Sequence, residues 1–214
     1  MMQQRLALVA GLALLISLST LHAGGWVVVD VRDLPERAAA GDPIPLVFTV
    51  RGAGVSPVGG LTPSIVAKSG TSTIDAVAAQ TKNEGEYAAT LILPRAGNWT
   101  IRITVWPEPA DRWNGVTLPE LSVHVPGTRV PPPMTPFALG QRMFVSRGCA
   151  TCHRTGPVET GPQLANGPNL FAMPFTAAYL KGFLRESHDE MHSLSLTASE
   201  VRALATFITG DRSK

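Results

Sequence analysis

"VPGTRVPPPMTP", residues 125–136, divides the chain into two halves of different pattern. Five prolines and a glycine leave this stretch no periodic apolar face, and proline-rich segments of this kind are extended and semi-rigid. Residues 126–136 therefore read as a linker. Before it the apolar residues follow a strand period, and after it they follow a helical one.

The runs WVVVDV (26–31), IPLVFTVR (44–51), PSIVAK (63–68), EYAATLIL (86–93), NWTIRITV (98–105) and ELSVHV (120–125) are short and rich in Val, Ile and Thr. Turn residues separate them: Gly41-Asp42-Pro43, Gly59-Gly60, Asn83-Glu84-Gly85 and Ala96-Gly97-Asn98. Strands at this spacing over residues 24–125 predict an antiparallel β-sandwich. The stretch GEYAATLILPRAGNWTIRITV (85–105) resembles the immunoglobulin-like domains of the YtkA/FixH-like kind, in which a Gly-x-Tyr strand leads through a Pro/Gly turn to a Gly-x-Trp strand. Tyr87 and Trp99 are expected in the core. This half has no Cys, no Met and a single histidine, His124, so it cannot build a cupredoxin copper site, which needs imidazoles, a thiolate and usually a thioether. It reads as a scaffold or docking module.

After the linker, Leu139, Met143 and Phe144 mark a helix that stops at Gly148. Thr176 is a candidate N-cap ahead of the stripe Tyr179, Leu180, Phe183 and Leu184. Thr197 and Glu200 form a capping box before Val201, Leu204, Ala205 and Ile208, and Gly210 ends that helix. Three short helices bury little on their own, and a unit of this size needs a staple.

The only cysteines, Cys149 and Cys152, lie in CATCH with His153 immediately after them. A disulfide across two intervening residues restrains little of the unfolded chain. A structural zinc wants four protein ligands, and there is no second cysteine pair. A thioredoxin-like dithiol belongs to a βαβ pattern, whereas a helix precedes this motif. Cys-x-x-Cys-His is the attachment signature of c-type haem, with two thiols for two vinyl groups and an imidazole for the iron. One covalent haem c is the cofactor expected, and it would also supply the missing core.

Residues 136–210 resemble a small class I c-type cytochrome: besides CATCH they carry Gly140 and Phe144 on the first helix, Phe207 on the last, and GPNL at 167–170. The resemblance implies that the Pro168 carbonyl accepts the hydrogen bond of the proximal His153. It also places the sixth ligand, Met191, in the loop before the final helix. His192 stands where that family commonly has proline, which keeps His188 and His192 open as alternatives, and Met173-Pro174 offers a further methionine.

The fold class expected is thus two domains, an all-β immunoglobulin-like sandwich at 24–125 followed by an all-α cytochrome c domain at 137–214. Arg5, an apolar run and a small-residue stretch ending at Ala23 read as a signal peptide over residues 1–23, or as a retained anchor if uncleaved. Either places the chain in the periplasm or on the outer face of the cytoplasmic membrane. Residues 24–125 hold eight Lys/Arg against ten Asp/Glu, and residues 126–214 nine against six. That balance excludes a nucleic-acid binder. Arg142, Arg147 and Arg154 surround the motif, where they predict at most modest electrostatic steering of a partner. The expected function is that of a periplasmic mono-haem c-type cytochrome, not an enzyme. It would carry single electrons to and from redox partner proteins, free or as the haem subunit of a respiratory or dehydrogenase complex. The alternative is a haem-based sensor or small-ligand-binding protein.

Overall fold

Alternation of apolar and polar residues gives each long strand one face for a shared core. A computed structural model of the chain describes residues 25–106, 113–127, 132–154, 167–186 and 194–210. The expected leader at 1–23 and the candidate ligands Met191, His188 and His192 lie outside those residues. The strands are β1 (Gly25–Val31), β2 (Pro43–Gly52), β3 (Ser56–Pro57), β4 (Ser64–Ser69), β5 (Ser72–Val77), β6 (Ala79–Gln80), β7 (Glu86–Ile92), β8 (Gly97–Val105), β9 (Trp113–Asn114), β10 (Val116–Thr117) and β11 (Leu121–Val125).

They form two sheets. One runs β6-β7-β2-β1-β9, with β3 on β2; the other runs β10-β8-β4-β5, with β11 also on β8. All pairings are antiparallel except the short β1–β9 pair. Ile44, Leu46, Phe48 and Val50 of β2 face Ile101, Ile103 and Val105 of β8 in one buried cluster. Tyr87 and Trp99 are fully buried within it. The Tyr87 hydroxyl donates to the Val58 carbonyl at 2.8 Å, and the Trp99 indole donates to the Arg95 carbonyl at 3.0 Å, so neither buried polar atom is left unpaired.

Four α-helices follow: α1 (Pro136–Ser146), α2 (Cys149–Cys152), α3 (Ala177–Phe183) and α4 (Ala198–Ile208), with a 3-10 turn at Leu170–Ala172. Thr135, Thr176 and Thr197 cap α1, α3 and α4 through their side chains, and Thr197 with Glu200 completes the capping box. Helices α1 and α4 cross where Gly140 sits. Phe207 is the hub of that crossing, with ring centroids 5.3 Å from Phe137, 5.5 Å from Phe144 and 5.3 Å from Phe171.

The expected fold class is corrected here. The described residues form a predominantly β structure of two sheets with short helices on it, and no separate all-α cytochrome domain is present among them. Met143, Phe144, Leu204 and Phe207 belong to the same buried cluster as the sandwich core. Helices α1 and α4 pack chiefly on each other, but the layer they form is tied to the sandwich along β1 and β11 and shares its buried cluster, so it is not a body of its own. Strand β1 shows it most directly, because Val27, Val29 and Val31 point into the sandwich, yet Val28 at 3% and Asp30 at 1% exposure are buried on the opposite face. Arg142 of α1 reaches across to the same body, donating to the carbonyls of Leu34 at 2.9 Å, Pro35 at 3.0 Å and Ser122.

A methyl at Gly140 would run into the Ala203 carbonyl and stand 2.7 Å from the Phe207 Cβ. Gly140→Ala gains up to about 1 kcal/mol of helix propensity and meets backbone that cannot move aside, an overpacking cost of about 1–3 kcal/mol. Its thermal unfolding midpoint is expected to fall. A midpoint equal to or above that of the unaltered protein would show that the helices do not cross this closely.

Candidate cofactor-attachment site

The CATCH segment is held in place by its surroundings. The chain leaves α1 through Arg147, turns at Gly148 and enters α2. Gly148 has φ +74°, a left-handed conformation that side chains rarely adopt, and a Cβ there would stand 2.5 Å from Val28 Cγ1 and 2.8 Å from the Val29 carbonyl. The turn therefore lies flat on β1. Cys149 and Cys152, three apart in one helical turn, share a face, and their thiols are not joined to each other.

Around this turn lies an ionic network that the sequence reading did not find. Arg147, with only 8% of its side chain exposed, donates to Asp30 at 3.3 Å and to Glu200 at 2.9 Å, and Arg32 adds a 3.1 Å contact to Asp30. Burial works against the Arg147 charge, but Glu200 and Asp30 outweigh it and hold the guanidinium firmly protonated. Burial likewise pulls the Arg142 guanidinium down, with Glu36 opposing. Two of the three arginines expected to steer a partner are thus committed inward; Arg154 is exposed. The available signal was Asp30 in the run WVVVDV, an acid amid residues that read as a strand apolar on both faces.

Burial pushes the Cys149 thiol up to about 12, and the Asp30 carboxylate adds to the rise. The Cys152 thiol is also raised by burial, against a donor contact from the Trp26 indole. Neither is poised as the thiolate that disulfide exchange requires. His153 follows in extended conformation, with its ring Nδ1 3.2 Å from the Pro168 carbonyl. A carbonyl can only accept, so Nδ1 carries the proton and Nε2 keeps its lone pair in the neutral ring. Burial lowers the His153 pKa, more than the Pro168 contact raises it. The partner segment is pinned by backbone bonds from Gly167 N–H to the Cys152 carbonyl at 3.1 Å and from Leu170 N–H to the Arg154 carbonyl at 3.2 Å. A Cβ at Gly167 would stand 2.7 Å from His153 Nδ1.

The structure thus brings together Cys149, Cys152, His153 and Pro168. Met191, His188 and His192 lie outside the described residues, and Met173 is exposed. Along α3 and the residues before it, Phe175, Tyr179 and Phe183 stack in sequence, with centroids 5.5 and 5.9 Å apart. Two same-face thiols with a neutral imidazole oriented by a carbonyl fit a covalently attached haem, and the buried Thr151 Oγ1 and Trp26 Nε1, neither satisfied by a hydrogen bond of good geometry, flank the attachment turn. A metal site built from three or more His, Cys, Asp or Glu does not occur among the described residues.

No family model matches the chain, and no curated protein matches it. Among solved structures it is similar to a superoxide reductase (neelaredoxin) from Ignicoccus hospitalis, at 13% identity and TM-score 0.32, over 49% of this chain and 83% of that one. It is also similar to a CARDB domain from Pyrococcus furiosus in complex with di-metal ions, at 14% identity and TM-score 0.29, over 50% and 93%. A PKD domain of a human VPS10 domain-containing receptor follows at 13% and 0.27, over 50% and 79%. Likenesses this low carry no argument about function. The expected membership in the class I c-type cytochromes, and in the YtkA/FixH-like domains, is therefore corrected: the architecture is a β-sandwich carrying short helices, and neither family is matched. The cytochrome c label goes with it.

The ionic network sets a pH dependence. Burial raises the Glu200 pKa, but bonds from the Thr197 backbone and side chain and from Arg147 outweigh it and leave it below the ordinary 4.5. A depressed carboxylate contributes stability that is complete above its unfolded value and is lost as pH falls through the folded one. Glu200→Gln keeps a capping side chain but weakens the Arg147 contact, at a cost of about 1–3 kcal/mol at neutral pH. The gap in unfolding midpoint between the two proteins is expected to narrow as pH drops below 4.5. A gap that stays constant would mean Glu200 is not ionically tied to Arg147.

Proposed function

We propose that the CATCH segment carries one covalently attached haem, and that the exported protein passes single electrons between redox partner proteins through it. The observation that carries this reading is the His153 ring, held by the Pro168 carbonyl with Nε2 free for a metal, directly after two thiols on one helical face. The Cys149 and Cys152 thiols would hold the haem as two thioethers, each S–H adding across one vinyl C=C with no net oxidation, and His153 would hold its iron. The bound haem supplies a single-electron couple at its iron. The chain's own residues fix its place: Pro168 sets the His153 tautomer, and Gly148 lays the attachment turn on β1.

Under this reading Met191 would supply the sixth ligand, and a thioether there would raise the reduction potential above that of a bis-histidine iron. With His153 and Met191 both holding the iron, no site would be left open to substrate, so under this reading the protein would act as a carrier rather than an enzyme, in the periplasm or on the outer face of the cytoplasmic membrane. Among the described residues no helix is long and apolar enough to cross a membrane.

Acid-acetone extraction of the exported protein should leave haem on the denatured chain, and the Cys149→Ala, Cys152→Ala double variant should lose it. Haem-free wild-type protein of full stability would defeat the proposal. Met191→Ala should remove the weak long-wavelength band of the oxidised protein and open the reduced iron to carbon monoxide. A wild-type protein that already binds carbon monoxide would favour the sensor instead.

A further inference from the structure

The outward face of β1 and the attachment turn match residue for residue. Asp30 pairs with Arg147 at 3.3 Å, Val28 abuts Gly148, and Trp26, next on the same face, reaches Cys152. The indole Nε1 is buried and makes no hydrogen bond of good geometry, so the group beside it is a donor in search of an acceptor. Sulfur is a weak acceptor that suits such a donor. We propose that Trp26, a residue of the sandwich, is a positioning residue for the second attachment sulfur: its indole N–H donates to Cys152 Sγ once that sulfur is a thioether, fixing the link and drawing electron density from it. The inference rests on the haem reading above, and it gives the sandwich a part in the site itself. Density drawn away from the porphyrin edge favours the reduced iron, so loss of the donor lowers the midpoint potential.

The test compares two variants of the full, haem-loaded protein. Trp26→Phe keeps an aromatic ring but removes the donor; Val28→Ala removes packing from the same face but no donor. Trp26→Phe should lower the midpoint potential, whereas Val28→Ala should lower the unfolding temperature and leave the potential unmoved. An unchanged potential in Trp26→Phe overturns the inference, as does an equal shift in both variants, which would reduce Trp26 to packing. Mass spectrometry of the wild-type protein keeps the two readings apart: no covalent haem there overturns the haem reading, whereas covalent haem with an unmoved Trp26→Phe potential overturns only the role of Trp26.

Discussion

The Asp30–Arg147 ion pair is the contact on which the arrangement turns. A carboxylate in the middle of β1 at 1% exposure is tenable only if a cation is brought to it, because an isolated buried charge costs far more than folding can spare. Arg147 is that cation, and it is also the residue that ends α1. The pair therefore sets where α1 stops relative to the strand, and with it where α2 begins. Removing either partner would leave Asp30 with Arg32 alone or Arg147 with Glu200 alone, each at a buried position, so the register of helix against strand is held more strictly than apolar packing alone would hold it.

Apolar contact then completes what the ion pair orients. Phe207 gathers two rings from α1 and one from the 3-10 turn into one hub. None of these elements is long enough to be stable alone, so their helicity depends on their packing against one another and on the tie to β1. Arg142 contributes from within α1, satisfying carbonyls at 34, 35 and 122 that the sandwich leaves facing it.

Much of the sandwich was legible because its signals are local. Alternation in β2 and β8 names the core face, glycine-rich stretches name the turns, and Thr135, Thr176 and Thr197 cap helices within their own few residues. Cys149, Cys152, His153 and Pro168 were legible as motifs, since each motif spans five residues or fewer. The relation between the halves was not. A strand segment followed by a helical one reads as two bodies, and nothing in the spacing says that the second folds back on the first. Asp30 and Arg147 stand 117 residues apart, and no periodicity links them. Trp26 and Cys152 are separated in the same way. The run WVVVDV did hold a hint, for a strand whose alternate positions are all apolar or buried needs cover on both faces, but it does not name the cover.

The inward commitment of two arginines also changes how the surface of this half is read. Residues 126–214 carry nine basic and six acidic side chains, a count that suggests a mildly positive face. Arg142 and Arg147 are absorbed by carbonyls and carboxylates of the fold, but Glu200 is taken up with them, which leaves seven basic against five acidic side chains. Besides the exposed Arg154, the helical layer shows solvent some apolar surface: Met173 and Tyr179 stand out, with Phe175 and Phe183 stacked on either side of the tyrosine. Long-range steering scales with net surface charge, whereas contact selectivity scales with shape and apolar fit. Under the proposed reading, the exposed apolar side chains would add short-range fit to an encounter with a redox partner, while Arg142 and Arg147 serve to hold the helices to the sandwich.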